Sequence, residues 1–130
     1  MRAVMHVFQL YTVAGVDIVW WRFLSPNGRC LARCPGPLAS VAEARLTIAS
    51  TIAVLDRAEV AVRSTPDYRW RWTLVADGEV VARGSGAQDR RVRCELAARR
   101  FVLATTDAVI DPTVHTFRRR DSGRARQAIG

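Results

Sequence analysis

The feature that most constrains this chain is that it matches itself. A shift of 50 residues brings Asp17 onto Asp67, Trp20 onto Trp70, Leu24 onto Leu74 and Gly28 onto Gly78. Ala32, Arg33 and Gly36 fall on Ala82, Arg83 and Gly86. Seven identities over the 20 positions 17–36 stand against roughly one expected from composition. The register continues without a gap at Leu46/Leu96 and Ala58/Ala108. A repeat of this length is one supersecondary unit used twice.

The unit is legible from local patterns. Residues 7–12 and 17–24 are apolar and rich in aromatic and β-branched side chains, the composition of strands. Asn27-Gly28 is a hairpin signal, because both central residues of a type I′ turn need positive φ, and 29–34 is then the returning strand. The second copy repeats this with 68–75, Asp77-Gly78 and 79–83. Ser40 and Glu43 form a capping box ahead of a helix carrying Val41, Ala44, Ile48, Ile52 and Leu55 on one face. Asp89 is the expected N-cap of a second helix, with Cys94, Ala98, Phe101 and Thr105 inward. Short extended pieces follow at 58–63 and 107–111, and Pro112 is expected to end the second.

These elements predict an α+β fold. Two tandem β3-α-β repeats, roughly residues 5–57 and 58–111, would form one mostly antiparallel sheet with both helices on one face and pseudo-twofold symmetry. A single copy of about 50 residues would bury too little surface to be stable alone. The domain is expected to span 1–111, followed by a basic, flexible tail at 112–130.

The stretch Tyr68-Arg69-Trp70-Arg71-Trp72, followed by Asp77-Gly78-Glu79-Val80-Val81-Ala82, resembles the hairpin signature of the YegP-like family of small domains of unknown function. Ser40, Ala44, Ile48 and Ser50 are similar to the family's helix pattern. The second copy departs from that pattern with Arg90, Cys94, Ala98 and Arg100, and Gly36-Pro37 and Gly86-Ala87 replace the usual lead into the helix. The resemblance spans residues 6–111. It implies tandem or dimeric β3-α-β units that share one sheet and exchange C-terminal strands. It implies no catalytic residues and no cofactor.

Charge and cysteines narrow the function classes. The net charge is +8 and every basic residue is Arg, a bias that Arg-rich coding also produces. Residues 1–111 hold 15 Arg against 11 acids, and the tail holds five Arg against Asp121 alone. Basic surfaces attract nucleic acid and acidic partners. Cys30 and Cys34, four apart on an expected strand, lie ~13 Å apart, too far to bridge. Three reduced thiols point to a cytoplasmic protein without a structural disulfide or a metal site. The sequence presents no membrane span and no catalytic constellation: Gly84-Ser85-Gly86 lacks the frame of a nucleophile elbow. A non-enzymatic module is expected.

The candidate binding residues come from strand alternation. The 50-residue register places Ile18, Trp20 and Leu24 toward the helices with their counterparts Tyr68, Trp70, Trp72 and Leu74 of the second copy. It leaves Val19, Trp21 and Phe23 on the outer face, where exposed apolar area costs ~25 cal/mol per Å². That patch predicts a protein interface, with another chain or a second copy. The alternative is a nucleic-acid surface formed by Arg69 and Arg71 with Arg118, Arg119 and Arg120 of the tail.

Overall fold

The computed structural model describes residues 5–118. The strands are β1 (Val7–Val13), β2 (Val19–Leu24), β3 (Cys30–Arg33), β4 (Glu59–Ser64), β5 (Trp70–Ala76), β6 (Glu79–Gly84) and β7 (Val109–Phe117). Helix α1 (Val41–Val54) follows β3 and α2 (Arg91–Ala104) follows β6, each ending in a 3-10 turn. One mixed sheet runs β4-β5-β6-β3-β2-β1-β7. All its neighbours are antiparallel except β1 and β7, which are parallel. The fold is the α+β architecture expected. The strand after α1 pairs with β5, and the strand after α2 crosses the molecule to pair with β1.

The helices lie over one face of this sheet. Ala44 and Ile48 of α1, and Cys94, Ala98 and Phe101 of α2, join one core cluster with Phe8, Leu10, Trp21, Phe23, Ala32, Trp72, Leu74 and Ala82. Phe101 sits at its centre, 4.9 Å from the Phe23 ring centroid and 5.7 Å from that of Trp72. Thr51 is buried at the position matching Phe101, and its hydroxyl donates to the Val81 carbonyl at 3.3 Å. Gly84 lies under Trp72, where a Cβ would come within 2.5 Å of the indole nitrogen.

Three expectations need correction. The first concerns the facing of β2. Val19 is 6% exposed, and Trp21 and Phe23 are 0% exposed. They form the centre of the core and offer no outer surface. The cause is the hairpin turn. Asp77 and Gly78 both have positive φ, 54° and 80°, as a type I′ turn requires. In the first hairpin only Gly28 does, at 85°, and the loop is longer, closed by Ser25 N–H to Arg29 C=O at 2.9 Å. Phe23 pairs with Ala32 and Leu74 with Ala82, so the first connection (24–31) holds one residue more than the second (75–81). The strands ahead of the turns are therefore offset by 51 positions, and Trp21 matches Trp72. A one-residue slip turns every side chain of a strand to the other face.

The second correction is Tyr68. It lies in a turn at φ 62° and is 89% exposed, so it is neither a strand residue nor a core residue. The turn Thr65-Pro66-Asp67-Tyr68-Arg69 has the hydrogen bonds of Ser25-Pro26-Asn27-Gly28-Arg29: the residue-69 and residue-29 amides donate to the leading hydroxyls at 3.1 and 3.2 Å. The third is the ends of α2 and of the domain. Arg90 is the N-cap of α2, without a side-chain bond, in place of Asp89. β7 runs through Pro112 to Phe117, beyond the expected boundary at 111. Pro112 can be accommodated because β7 is an edge strand with a register shift at that point.

Candidate anion-binding face of the sheet

The face of the sheet turned away from the helices is defined by its buried neighbours. Arg22 lies between buried Trp21 and Phe23, Arg33 between buried Ala32 and Cys34, and Arg83 between buried Ala82 and Gly84. All three side chains therefore point outward. Arg22 stands directly opposite Arg33, and Arg33 directly opposite Arg83. Three cations thus occupy one row across β2, β3 and β6. The row continues through Thr73 to Ala61 on one side and to Gln9 on the other. Arg71, two residues from Thr73, faces the same way and stands opposite Arg63.

Like charges directly opposite one another destabilise a sheet, so the row has an electrostatic cost. Among the described residues the ion pairs are Arg57–Asp77, Arg91–Glu95 and His115–Asp111, and none reaches this row. Two guanidiniums are held by neutral acceptors: Arg22 Nε donates to Gln9 Oε1 at 2.7 Å and Arg83 Nε to the Cys34 carbonyl at 3.0 Å. Arg33 Nε is shielded from solvent and has no acceptor among the described residues. These forks match phosphate and carboxylate oxygens.

An aromatic group adjoins the row. Trp20, two residues before Arg22, pairs with Tyr11, and Tyr11 aligns with His115 of β7. The Tyr11 and Trp20 rings stack at 5.6 Å with 18° between planes, and Phe117 lies 5.6 Å from Tyr11. The Arg22 guanidinium sits over Tyr11 at 5.4 Å and over Phe117 at 5.0 Å. Burial pushes the Tyr11 phenol pKa up, opposed by Arg33 and Arg22. The outer face thus carries Arg63 beside Glu59 on β4, arginines on β5, β6, β3 and β2, and aromatic rings on β2, β1 and β7.

The residues expected at the site divide. Arg71 belongs to this face. Arg69 is exposed on the preceding turn, where its guanidinium donates to the Ala87 carbonyl at 2.9 Å. Arg118 is exposed beyond β7, and Arg119 and Arg120 lie outside the described residues. Arg22, Arg33, Arg63 and Arg83, with Tyr11, Trp20 and Phe117, went unrecognised in the sequence. The signal for Trp20 was the recurrence of Ser/Thr-Pro-Asn/Asp-x-Arg at 25–29 and 65–69, which marks the longer turn. No local signal places Arg22, Arg33 and Arg83 in one row.

Other places in the molecule offer less. An open cleft of about 330 Å³ lies between α1 and the β5–β6 turn, lined by Glu43, Thr47, Ser50, Asp77, Glu79 and Val80 among others. Glu43 is occupied there with the Ala39 amide at 2.7 Å, and Asp77 with Arg57 at 2.9 Å. The three cysteines are free thiols, and burial pushes the Cys34 and Cys94 pKa values up. Among the described residues no His, Cys, Asp and Glu cluster could hold a metal, and no helix is long and apolar enough to cross a membrane.

Two solved structures share the fold. A solution NMR structure of YegP from E. coli, a protein of unknown function, superposes with a TM-score of 0.64 over 93% of this chain and 98% of that one. The chain has the YegP-like fold. Sequence identity to that protein is 14%. A second solution NMR structure with the same architecture, a UPF0339 protein from Shewanella oneidensis, covers 91% of this chain and 93% of its own at 8% identity and a TM-score of 0.56. No family model and no curated protein matches the chain. The YegP-like fold places the hairpins and helices; at these identities it carries no activity.

Proposed function

We propose that this chain is a non-enzymatic binding module that docks an anionic partner on the outer face of its sheet. The row Arg22–Arg33–Arg83 carries this reading. Three cations paired directly across strands, with no ion pair to a carboxylate among the described residues, form a surface that an anion would stabilise. Docking through Val19, Trp21 and Phe23 has lost its surface, because those side chains are in the core. The outer face remains the docking surface, with different residues.

Retention on heparin tests the reading. Arg33→Gln with Arg83→Gln should elute at clearly lower salt than the parent chain. Arg99→Gln with Arg100→Gln removes the same charge from exposed positions of α2, and should change elution much less. Equal shifts in the two variants would mean that net charge alone sets binding, and would overturn the proposal. Circular dichroism is the check that both variants fold.

A further inference from the structure

We infer that the anionic partner is a single-stranded nucleic acid, with phosphates on the arginine row and bases on the Trp20–Tyr11–Phe117 surface. This rests on the outer-face reading above and adds the class of ligand. The arginines alone do not distinguish a phosphate chain from an acidic peptide. The aromatic half of the same face does. A single strand alternates a charged phosphate with a flat, stackable base, and proteins that hold one combine a basic track with aromatic platforms. Here the two are continuous: Arg22 belongs to the row and also lies over Tyr11 and Phe117. The arginine row from β6 to β2 crosses two strand spacings, ~10 Å, and Arg71 and Arg63 extend the basic surface over β5 and β4 beside Glu59. The carboxylates of an acidic peptide engage the arginines but leave the three clustered rings without the regularly spaced flat groups that a single strand supplies. In a duplex the bases are already stacked on one another, and a broad sheet face gives no element to enter a groove.

The test uses the full chain and fluorescence anisotropy. The probes are a labelled ~12-nucleotide single strand, the same sequence as a duplex, and a polyglutamate peptide of equal charge. The single strand should bind at least about tenfold tighter than either of the other two. Arg33→Gln should lower the slope of log K against log salt by about 0.7, the single-strand value for one phosphate contact. Trp20→Ala should weaken single-strand binding about tenfold while leaving heparin retention unchanged. Phe117→Ala, at the end of an edge strand, should act in the same direction and covers the case in which Trp20→Ala does not fold. If the duplex or the peptide binds as well as the single strand, or if folded aromatic variants bind like the parent chain, the inference is overturned while the heparin result stands. Loss of the heparin difference removes the anionic reading itself.

Discussion

Trp20 and Trp21 are neighbours with opposite roles. Trp21 is 0% exposed and packs edge-on against Phe8 at 5.4 Å, whereas Trp20 stacks on Tyr11 at the outer surface. Removing a buried Trp forfeits transfer free energy and leaves a cavity, typically costing ~3–5 kcal/mol. Removing Trp20 forfeits a surface aromatic pair, worth about 1 kcal/mol. Trp21→Ala should therefore lower the urea midpoint several times more than Trp20→Ala, at similar m. Equal losses, or a reversed order, would show that the strand faces the other way. The burial of this one residue moves the candidate site from Val19, Trp21 and Phe23 to Trp20 and Arg22. Both sets are apolar or amphipathic enough for either face, so residue type alone could not choose between them.

The two helices occupy matching positions and differ at their starts. The Glu43 amide donates to Ser40 Oγ at 3.1 Å, and the Glu43 carboxylate returns to the Ala39 amide. At the same positions of the second helix stand Arg90, without a capping bond, and Arg93. Those cations also sit at the positive end of the helix dipole. Arg90→Ser with Arg93→Glu would rebuild the box, and should raise stability by about 1 kcal/mol, read as a higher urea midpoint. Ser40→Ala should lower it by a similar ~1 kcal/mol. An unchanged midpoint for both would mean that tertiary packing alone holds these helix ends. At this scale the sequence was highly legible. The capping box, the Asp77-Gly78 turn, both helices and all seven strands follow from short-range patterns. The misreading of β2 came from one residue: Asn27-Gly28 looks like a two-residue type I′ turn, but Ser25 and Pro26 begin a longer loop around it.

Across the whole molecule the parallel pairing of β7 with β1 ties the last described element to the first. Leu10, Tyr11, Thr12 and Val13 align with Val114, His115, Thr116 and Phe117, and the Ala14 amide donates to the Phe117 carbonyl at 2.9 Å. The boundary expected at 111 cuts this pairing in half. A chain ending at Asp111 should lose ~3 kcal/mol or more of stability, from unpaired backbone groups along β1 at ~0.5–1.5 kcal/mol each. It would also remove Phe117 from beneath Arg22. Equilibrium urea unfolding against the full chain measures this, and an unchanged midpoint would place residues 112–117 outside the folded unit.

What the amino-acid order determined by itself is the set of elements and their sequence along the chain, because turn chemistry, capping and hydrophobic period act over a few residues. The likeness of the Tyr68–Ala82 stretch to the YegP-like hairpin belongs to that local information as well. The tertiary structure decided which face each side chain meets and which distant residues become neighbours. Facing depends on the parity of a loop, which one inserted residue reverses. The row of Arg22, Arg33 and Arg83 exists only because β3 pairs with β6 at the centre of the sheet, and no short stretch of sequence encodes that pairing.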